Sequence, residues 1–349
     1  MKIVLDCERM KHPYTGLFEY CYQLGIALRQ RVVDKDDLIY YVPQSVQYMF
    51  GSNNNFIEQR SIDKIFYRNF NADILHTTYQ LSRYMGGNKN VKRLLTIHDL
   101  NFLYEKKAPS KVAKYLKKMQ DNINRSDHII AISNYVKQDV LDHLEIGNKP
   151  FDVIYNGCNV LEFDTYDTPI YKPKKDFLFS IGTVLPKKNF HVLPRILVGN
   201  DYELIIAGRS DENYQNKIIK EAKQFNVEDR VKLIGSVSYE DKYWYLKNCL
   251  AFMFPSIAEG FGIPVIEAMH FGKPTFLSTH TSLPEVGGKD AYYFQNFEPE
   301  YMQQLFRDSL EDYSQNDRIK DIKEHASYFR WDRCADEYYK IYQKLYESK

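Results

Sequence analysis

Short apolar runs alternate with longer amphipathic stretches along most of the chain. The runs are rich in β-branched and aromatic residues, and most end in Gly, Ser, Asn or Asp, as buried strands do. We predict strands at 2–7, 38–43, 72–77, 94–99, 128–133, 152–157, 177–182, 203–208, 231–235, 250–256 and 274–278. The helical spacing between them predicts helices that include 17–30, 109–124, 213–225, 239–248 and 263–271. This alternation predicts α/β architecture with parallel sheets and right-handed crossovers.

Residues 161–176 interrupt the alternation with two prolines, several charges and no periodicity, which is typical of a linker. We therefore predict two doubly wound, Rossmann-like domains at 1–165 and 166–325. We expect a Tyr- and Lys-rich helix at 326–349 to pack back on the first domain. Ligands of open parallel sheets bind at the carboxyl ends of the strands, so we expect the site in a cleft between the domains.

The charge balance excludes one class of function. The 349 residues include 47 Lys and Arg against 46 Asp and Glu, so the chain lacks the broad basic surface of a sequence-blind nucleic-acid binder. The five cysteines are scattered and form no CxxC pair, which argues against disulfides and zinc. The first apolar run is too short for a signal peptide, and no run reaches the ~18 residues of a membrane span. These features predict a cytoplasmic protein.

The most informative stretch is SIAEGFGIPVIEAMHFGKP (256–274). A predicted strand leads into Glu259 and two glycines, and a helix starts at once with Pro264 in its first turn. Backbone N–H groups exposed at a Gly-rich helix N-terminus suit a diphosphate. Glu267 in the early helix suits the vicinal hydroxyls of a ribose. A Gly-rich turn in which Glu267 only complements the helix dipole is the alternative.

The EGFGIPVIE segment resembles the Glu-x7-Glu signature of the retaining glycosyltransferases of family 4, which have the GT-B fold. Other segments resemble the family in the same order: LTIHDLNFL (95–103), DVIYNGCNV (152–160), FLFSIGTVLPKKN (177–189), VKLIGSVSYEDKYWYLKNCLAFMFPS (231–256) and SLPEVGGKDAYYF (282–294). Together these segments cover most of the chain and are densest in the second half.

The resemblance implies roles for particular residues. It implies that Glu259 faces the hydroxyls of the donor sugar and that Glu267 accepts the ribose hydroxyls. It implies that Lys188 neutralises the diphosphate. The backbone of the intervening segment would hold the sugar and diphosphate oxygens, and its residues are Gly260, Phe261, Gly262 and Ile263.

The roles of three further residues, Arg209, Gly16 and His98, have alternative interpretations. Thr183 stands where many family members have an arginine, and Arg209 is either a replacement phosphate cation or a solvated loop residue. Gly16 matches a Gly-rich loop of the family, although Thr15 stands at a second glycine and could simply cap a helix. His98 is implied to lie near the transferred sugar, and this role is favoured over a core histidine.

The sequence predicts no metal and no cofactor other than the nucleotide-sugar co-substrate. No Asp-x-Asp motif follows a strand, and the cluster Asp34, Asp36 and Asp37 lies in a polar stretch typical of solvated residues. We expect Lys188 and the helix dipole to neutralise the diphosphate instead.

A basic amphipathic stretch at 106–123 has two interpretations. Residues 106–118 carry six lysines and no acid, and the apolar stripe is Val112, Tyr115, Leu116, Met119 and Ile123. Such a helix can lie on an anionic membrane as a peripheral contact on its inner face. Packing of the stripe on the sheet is favoured, because one stripe cannot face both core and lipid.

The sequence therefore predicts a metal-independent retaining glycosyltransferase. It would move a hexose from a nucleoside-diphosphate sugar to a hydroxyl of a glycan or lipid-linked acceptor, forming an α-linkage in surface polysaccharide biosynthesis. Resemblance to mannosyltransferase-like members favours GDP-mannose. The alternatives are a nucleotide-sugar epimerase or hydrolase of the same fold, or a non-catalytic sugar-binding scaffold. An NAD-type oxidoreductase lacks support, because no G-x-G-x-x-G follows a predicted strand.

Overall fold

The computed structural model describes residues 1–13, 15–32, 36–105, 107–161, 163 and 169–348. Contacts divide the chain into unit 1, Met1–Gly157 with Phe329–Lys349, and unit 2, Cys158–Tyr328. The boundary expected at 165/166 lies outside the described residues. The division falls earlier because Gly157 packs in unit 1, where an added Cβ would lie 2.3 Å from the backbone nitrogen of Trp331.

Unit 1 is built on one parallel sheet of seven strands, counted over its described residues. The strands are β1 Lys2–Asp6, β2 Asp37–Val42, β3 Asn55–Glu58, β4 Ile74–Thr77, β5 Lys92–Ile97, β6 His128–Ala131 and β7 Phe151–Val153. Their order in space is β3-β2-β1-β4-β5-β6-β7. Strands are added in opposite directions on the two sides of β1, so β1 and β4 flank the point at which the winding reverses.

The helices of unit 1 are α1 Gly16–Arg31, α2 Pro109–Asn124, α3 Asn134–His143 and, after the helices of unit 2, α10 Trp331–Glu347. Helix α10 completes the core of unit 1 beside α1. The Tyr338 hydroxyl lies 2.8 Å from that of Tyr20, and the Tyr342 hydroxyl lies 2.7 Å from His76 Nδ1. The core therefore joins segments that are far apart in the sequence.

Unit 2 repeats the arrangement with six parallel strands among its described residues. They are β8 Phe177–Ile181, β9 Glu203–Ala207, β10 Val231–Gly235, β11 Ala251–Phe254, β12 Thr275–Ser278 and β13 Tyr292–Phe294, in the order β10-β9-β8-β11-β12-β13. The helices are α4 Glu212–Gln224, α5 Tyr239–Asn248, α6 Ile263–His270, α7 Leu283–Gly287, α8 Pro299–Gln315 and α9 Ile319–Ser327. The winding reverses between β8 and β11.

The structure confirms the predicted fold class of two doubly wound α/β sheets. Every predicted strand corresponds to a strand of one of the sheets. Strands β3 and β13 were not predicted. They are four and three residues long and each lies at the edge of its sheet, where few residues alternate and the apolar signal is weak.

Candidate functional site

Of the predicted donor residues, Lys188 lies in the loop after β8, and Glu259 to Gly262 lie in the loop after β11. These strands are neighbours on either side of the point at which the winding reverses. In open α/β sheets, loops at this point diverge and leave a crevice for a ligand. Two bonds to the Lys187 carbonyl tie the loops together, from Ile257 N at 2.8 Å and Ser256 Oγ at 3.0 Å.

Lys188 and Glu259 meet at this position. Lys188 Nζ donates to Glu259 Oε1 at 2.5 Å, and the Ser256 hydroxyl donates to the same oxygen at 2.6 Å. The two charged side chains are only 12% and 13% exposed, and Lys188 Nζ also lies 4.6 Å from the Phe254 ring centroid. A largely buried ammonium at a sheet switch point suits an anionic ligand, and the adjacent carboxylate suits hydroxyl groups.

Glycines make room for this lysine. A Cβ at Gly182 would lie 3.2 Å from Lys188 Cε, and a Cβ at Gly208 would lie 2.0 Å from the Gly182 carbonyl oxygen. Both glycines have positive φ, 153° and 133°. The loops after β8 and β9 therefore pack closely, and a side chain at Gly182 would crowd Lys188.

Helix α6 begins directly after this pair. Gly262 adopts φ 109°, a conformation that other residues rarely accept, and Pro264 occupies the first turn. No described side chain caps the helix. The preceding loop is held by Ser282, whose hydroxyl donates to the Phe261 carbonyl at 3.0 Å, and by Thr281, whose hydroxyl accepts from Glu259 N at 3.1 Å. A helix N-terminus without a side-chain cap favours an anion.

Glu267 lies on α6 and is 6% exposed. Its Oε1 accepts from Lys242 Nζ at 2.6 Å and from the Tyr243 hydroxyl at 3.4 Å. Lys242 Nζ also lies 4.7 Å and 4.4 Å from the ring centroids of Tyr239 and Tyr243. Burial and then the Glu267 carboxylate raise the pKa of the Cys158 thiol. Lys242 was not singled out from the sequence, because nothing in its own helix shows that α5 faces α6.

Arg209 and Thr183 lie on neighbouring loops of unit 2. The Arg209 carbonyl accepts from Val184 N at 2.8 Å. The loop after β9 therefore runs alongside the loop after β8, which leads to Lys188. The Arg209 and Thr183 side chains are exposed, and Arg209 forms no ion pair with any residue that the structure describes. Whether Arg209 replaces the missing arginine stays a prediction.

His98 follows β5 in unit 1 and is 5% exposed. Its Nε2–H donates to the Thr78 carbonyl at 2.8 Å, and its backbone N–H donates to Gln80 Oε1 at 3.1 Å. The ring meets Tyr20 edge-on at 4.5 Å. Burial lowers the pKa of His98 to about 4, so the imidazole is neutral at pH 7. A neutral ring held through Nε2 leaves Nδ1 as a hydrogen-bond acceptor.

Gly16 is the first residue of α1 and is exposed, and a Cβ added there would have nothing within 4 Å. The Thr15 hydroxyl accepts from Phe18 N at 3.2 Å and so caps the helix. Thr15 is thus the helix cap that the sequence allowed as the alternative. Tyr14, which precedes Thr15, lies outside the described residues. A donor-binding role for Gly16 stays a prediction.

Asp6 is a polar residue at the end of β1 that the sequence reasoning missed. It is fully buried and accepts from Gln59 Nε2 at 2.7 Å, Glu8 N at 3.0 Å and Ser82 Oγ at 3.0 Å. Burial, and next the nearby Glu8 carboxylate, raise the pKa of Asp6 to about 7. A buried acid at the end of the first strand was the available signal.

Two other sequence predictions concern metals and membranes. Over the described ranges, no group of three or more His, Cys, Asp and Glu side chains could hold a metal ion. Asp34 lies outside those ranges. Helix α2 buries Met119 and Ile123 against unit 1, and Lys106 is not described. None of the helices that the structure describes has the length and hydropathy to cross a bilayer.

Family models match both halves of the chain. Residues 166–326 match the model for glycosyl transferases group 1, and residues 20–160 match the model for Glycosyltransferase Family 4. The chain belongs to this glycosyltransferase family, which confirms the resemblance seen in its motifs.

The relatives include O-antigen mannosyltransferases. The O-antigen chain mannosyltransferase RfbU of Salmonella typhimurium is 29% identical over 57% of this chain and 55% of its own length. The O-antigen chain mannosyltransferase B of Escherichia coli is 22% identical over 99% of this chain and its whole length. The chain thus spans just over half of the length of RfbU, and about a third of the length of three further mannosyltransferases that it matches.

Solved structures share the fold. Anabaena HepE, whose structure is described as a complex with UDP and glucose, aligns with a TM-score of 0.71 at 16% identity, covering 98% of this chain and 99% of its own. The sequence identity is low, so this similarity supports the two-sheet glycosyltransferase fold alone.

Proposed function

We propose that this protein is a retaining glycosyltransferase that transfers mannose from GDP-mannose to a hydroxyl of a glycan or lipid-linked oligosaccharide. The acceptor would be a growing surface polysaccharide, as the names of the O-antigen mannosyltransferase relatives suggest. The observation that carries the proposal is the Lys188–Glu259 pair at the switch point of unit 2, immediately before the uncapped start of α6.

The proposed chemistry requires stabilisation of a leaving diphosphate. The bond between the sugar C1 and the phosphate oxygen breaks, and a bond between C1 and the acceptor oxygen forms on the same face. The acceptor proton passes to the departing diphosphate oxygen. Lys188 and the first N–H groups of α6 would stabilise the negative charge that develops there, which is commonly the largest contribution to catalysis. No metal ion would be required.

The two carboxylates would divide the remaining work in the donor site. Glu259 would bind hydroxyls of the transferred sugar, with Lys188 released to the diphosphate. Glu267 would bind the ribose, with the backbone of residues 260–263 and the Arg209 side chain near the phosphates. For unit 1 we propose that His98 gives a neutral hydrogen-bonding contact to the sugar and that Gly16 lies near the donor phosphates.

The decisive experiment measures transfer from GDP-mannose to a lipid-linked oligosaccharide by wild type and by Glu259→Gln and Lys188→Met. We expect each variant to lose at least about 100-fold in kcat/KM. Glu221→Gln is the matched control, because Glu221 forms an ion pair of similar burial with Arg195 elsewhere in unit 2. Full transfer by either site variant would contradict the proposal.

Three further readouts separate the parts of the proposal. A nucleotide at about 100 times its Kd adds about 2.7 kcal/mol of stability, so melting with GDP, UDP and ADP identifies the base. NMR of the anomeric proton of the product distinguishes retention from inversion. Activity that survives EDTA supports metal independence, whereas release of free mannose without acceptor identifies a hydrolase.

A further inference from the structure

A short turn after β3 buries its acidic residue and exposes its apolar residues. It comprises residues 61–64 and the two residues that follow. Its acid, Asp63, is 7% exposed, whereas Ile62, Ile65 and Phe66 are 57%, 68% and 71% exposed. Burial of apolar surface is favourable and burial of charge is costly, so packing alone favours the opposite arrangement. We call Ile62, Ile65 and Phe66 the apolar ridge.

The buried acid fixes the turn from the inside. Asp63 Oδ2 accepts from the Tyr41 hydroxyl at 2.7 Å and from Arg60 N at 3.1 Å, and Arg68 Nε lies 3.3 Å away. Burial, and next the bond to Asp63, raise the pKa of Tyr41, which keeps the hydroxyl protonated as a donor. The Asp63 carboxylate is therefore engaged inside unit 1.

The backbone of the turn aligns the apolar ridge. Ile65 N and Phe66 N both donate to the Ile62 carbonyl, at 3.0 Å and 2.9 Å. Residues three and four apart in such a turn share one face. The three apolar side chains therefore stand together on the solvent side, held there by the anchor at Asp63.

Basic residues lie beside the apolar ridge and extend away from it along α2. Arg60 and Lys64 belong to the same segment, and the Arg125 guanidinium at the end of α2 lies 4.1 Å from the ring centroid of Tyr67, which follows Phe66. Lys118 and Lys111 precede Arg125 by about two and four helical turns and so continue along the same face of α2. We call Arg60, Lys64, Lys111, Lys118 and Arg125 the basic strip.

Few acids offset this charge. Burial, and next the positive Arg125, lower the pKa of Lys118, while the Asp121 carboxylate raises it. Asp121 on α2 is engaged by Lys117 at 3.5 Å, and Glu58 precedes the segment at the end of β3. The surface thus combines exposed apolar groups with a net positive rim.

We propose that the apolar ridge inserts into the headgroup region of an anionic bilayer while the basic strip binds lipid phosphates. Amphipathic elements with apolar and Lys/Arg-rich faces bind at this depth, and the rim matches the charge of anionic lipids. The contact is made by the turn at 61–66, because α2 uses Met119 and Ile123 for packing. The inference is independent of the donor site and holds whether or not the chain transfers a sugar.

The experiment is flotation of the full chain with phosphatidylcholine vesicles, with and without phosphatidylglycerol. We expect wild type to float with the anionic vesicles. The combined variant Ile62→Ser, Ile65→Ser and Phe66→Ser should bind them at least about tenfold more weakly, with an unchanged melting temperature. The matched control replaces three other exposed apolar residues, Leu141, Ile170 and Ile319, by serine. It should float like wild type.

A second variant tests the charge. Arg60→Gln with Lys64→Gln should lower binding to anionic vesicles by about fivefold for each charge removed. Equal flotation of wild type and the triple-serine variant would overturn the proposal. A lipid-free dimer that the triple-serine variant abolishes would also overturn it, because the occupant of the ridge would then be a second copy of the chain. Sugar transfer to a soluble acceptor, measured alongside, tests the proposed function separately.

Discussion

The first six strands of unit 1 and the six strands of unit 2 follow the same order in space. The two units differ in the charge of the side chains near the carboxyl ends of these strands. In unit 2, where the winding reverses between β8 and β11, charged side chains are kept as ion pairs, Lys188 with Glu259 and Lys242 with Glu267. In unit 1, burial favours the neutral form of two groups at strand ends, His98 and Asp6, although Glu8 and Lys11 form an ion pair just after β1. It lowers the pKa of His98 to about 4 and raises that of Asp6 to about 7.

The helices at these edges differ in the same way. Helix α1 is closed at its start by the Thr15 side chain, which accepts from Phe18 N. Helix α6 starts after Gly262 with no side-chain cap among the described residues. The uncapped start of α6 lies beside paired charges that can exchange their partners for an anion, whereas at the start of α1 one N–H group already has a side-chain partner. Under the proposed function, unit 2 would therefore supply the charged partners of the diphosphate, and unit 1 would add the neutral His98 and the backbone near Gly16.

The largest effect expected from this comparison is the pH dependence of the free energy of unfolding, through the buried groups of unit 1. His98 has a pKa of about 4 in the folded chain and 6.5 ordinarily, so between these values only the unfolded chain takes the proton. Its contribution to stability is present above pH 6.5 and is lost as the pH falls towards 4. His98→Gln should remove this loss, by up to about 3 kcal/mol, in urea unfolding measured from pH 7 to 4.

Asp6 supplies the control because its sign is opposite. The folded chain keeps a proton that the unfolded chain releases above 3.8, so the contribution of Asp6 is present below pH 3.8 and is lost as the pH rises towards 7. Asp6→Asn should therefore flatten stability in the other direction. A stability profile that neither variant changes would show that these groups are not kept neutral.

A smaller effect should sharpen the account of unit 2. Lys242→Met and Glu267→Gln should each lower the free energy of unfolding in urea by about 1–3 kcal/mol. Each variant leaves a nearly buried charged partner without its ion pair. The double variant should cost less than the sum, giving a coupling energy of about 0.5–3 kcal/mol. The exposed pair Lys117–Asp121 is the control, with coupling below about 0.5 kcal/mol. Equal coupling in the two cycles would contradict our description of Glu267.

The smallest predicted effect comes from alanine substitutions at Gly262 and Gly16, the glycines at the starts of α6 and α1. Gly262→Ala must place a Cβ at φ 109°, 3.1 Å from Leu283 Cδ2, and should cost about 1–2 kcal/mol in thermal unfolding. Gly16→Ala meets nothing within 4 Å in an ordinary helical position and should be neutral or stabilising by up to about 1 kcal/mol. A destabilisation of similar size at both positions would remove the distinction between the two helix starts.

The sequence predicted the fold well because the strands are strongly apolar and regularly spaced. It also brought out Glu259, Gly262 and Glu267 through their local spacing, and the family assignment was confirmed. Lys242 was missed because its partner lies on another helix, and local periodicity carries no information about helix–helix contacts. The apolar ridge was missed for a related reason: Ile62, Ile65 and Phe66 have the helical spacing of core residues, and only the fold shows that they face outward.

The place of α10 has a consequence for how the protein is made. Trp331, Tyr338 and Tyr342 complete the core of unit 1, yet the ribosome adds them only after all of unit 2. Residues 1–157 must therefore wait, with part of their apolar surface uncovered, while residues 158–328 are translated and are free to fold as one continuous segment. Chaperones have their main opportunity to bind the nascent chain during that interval.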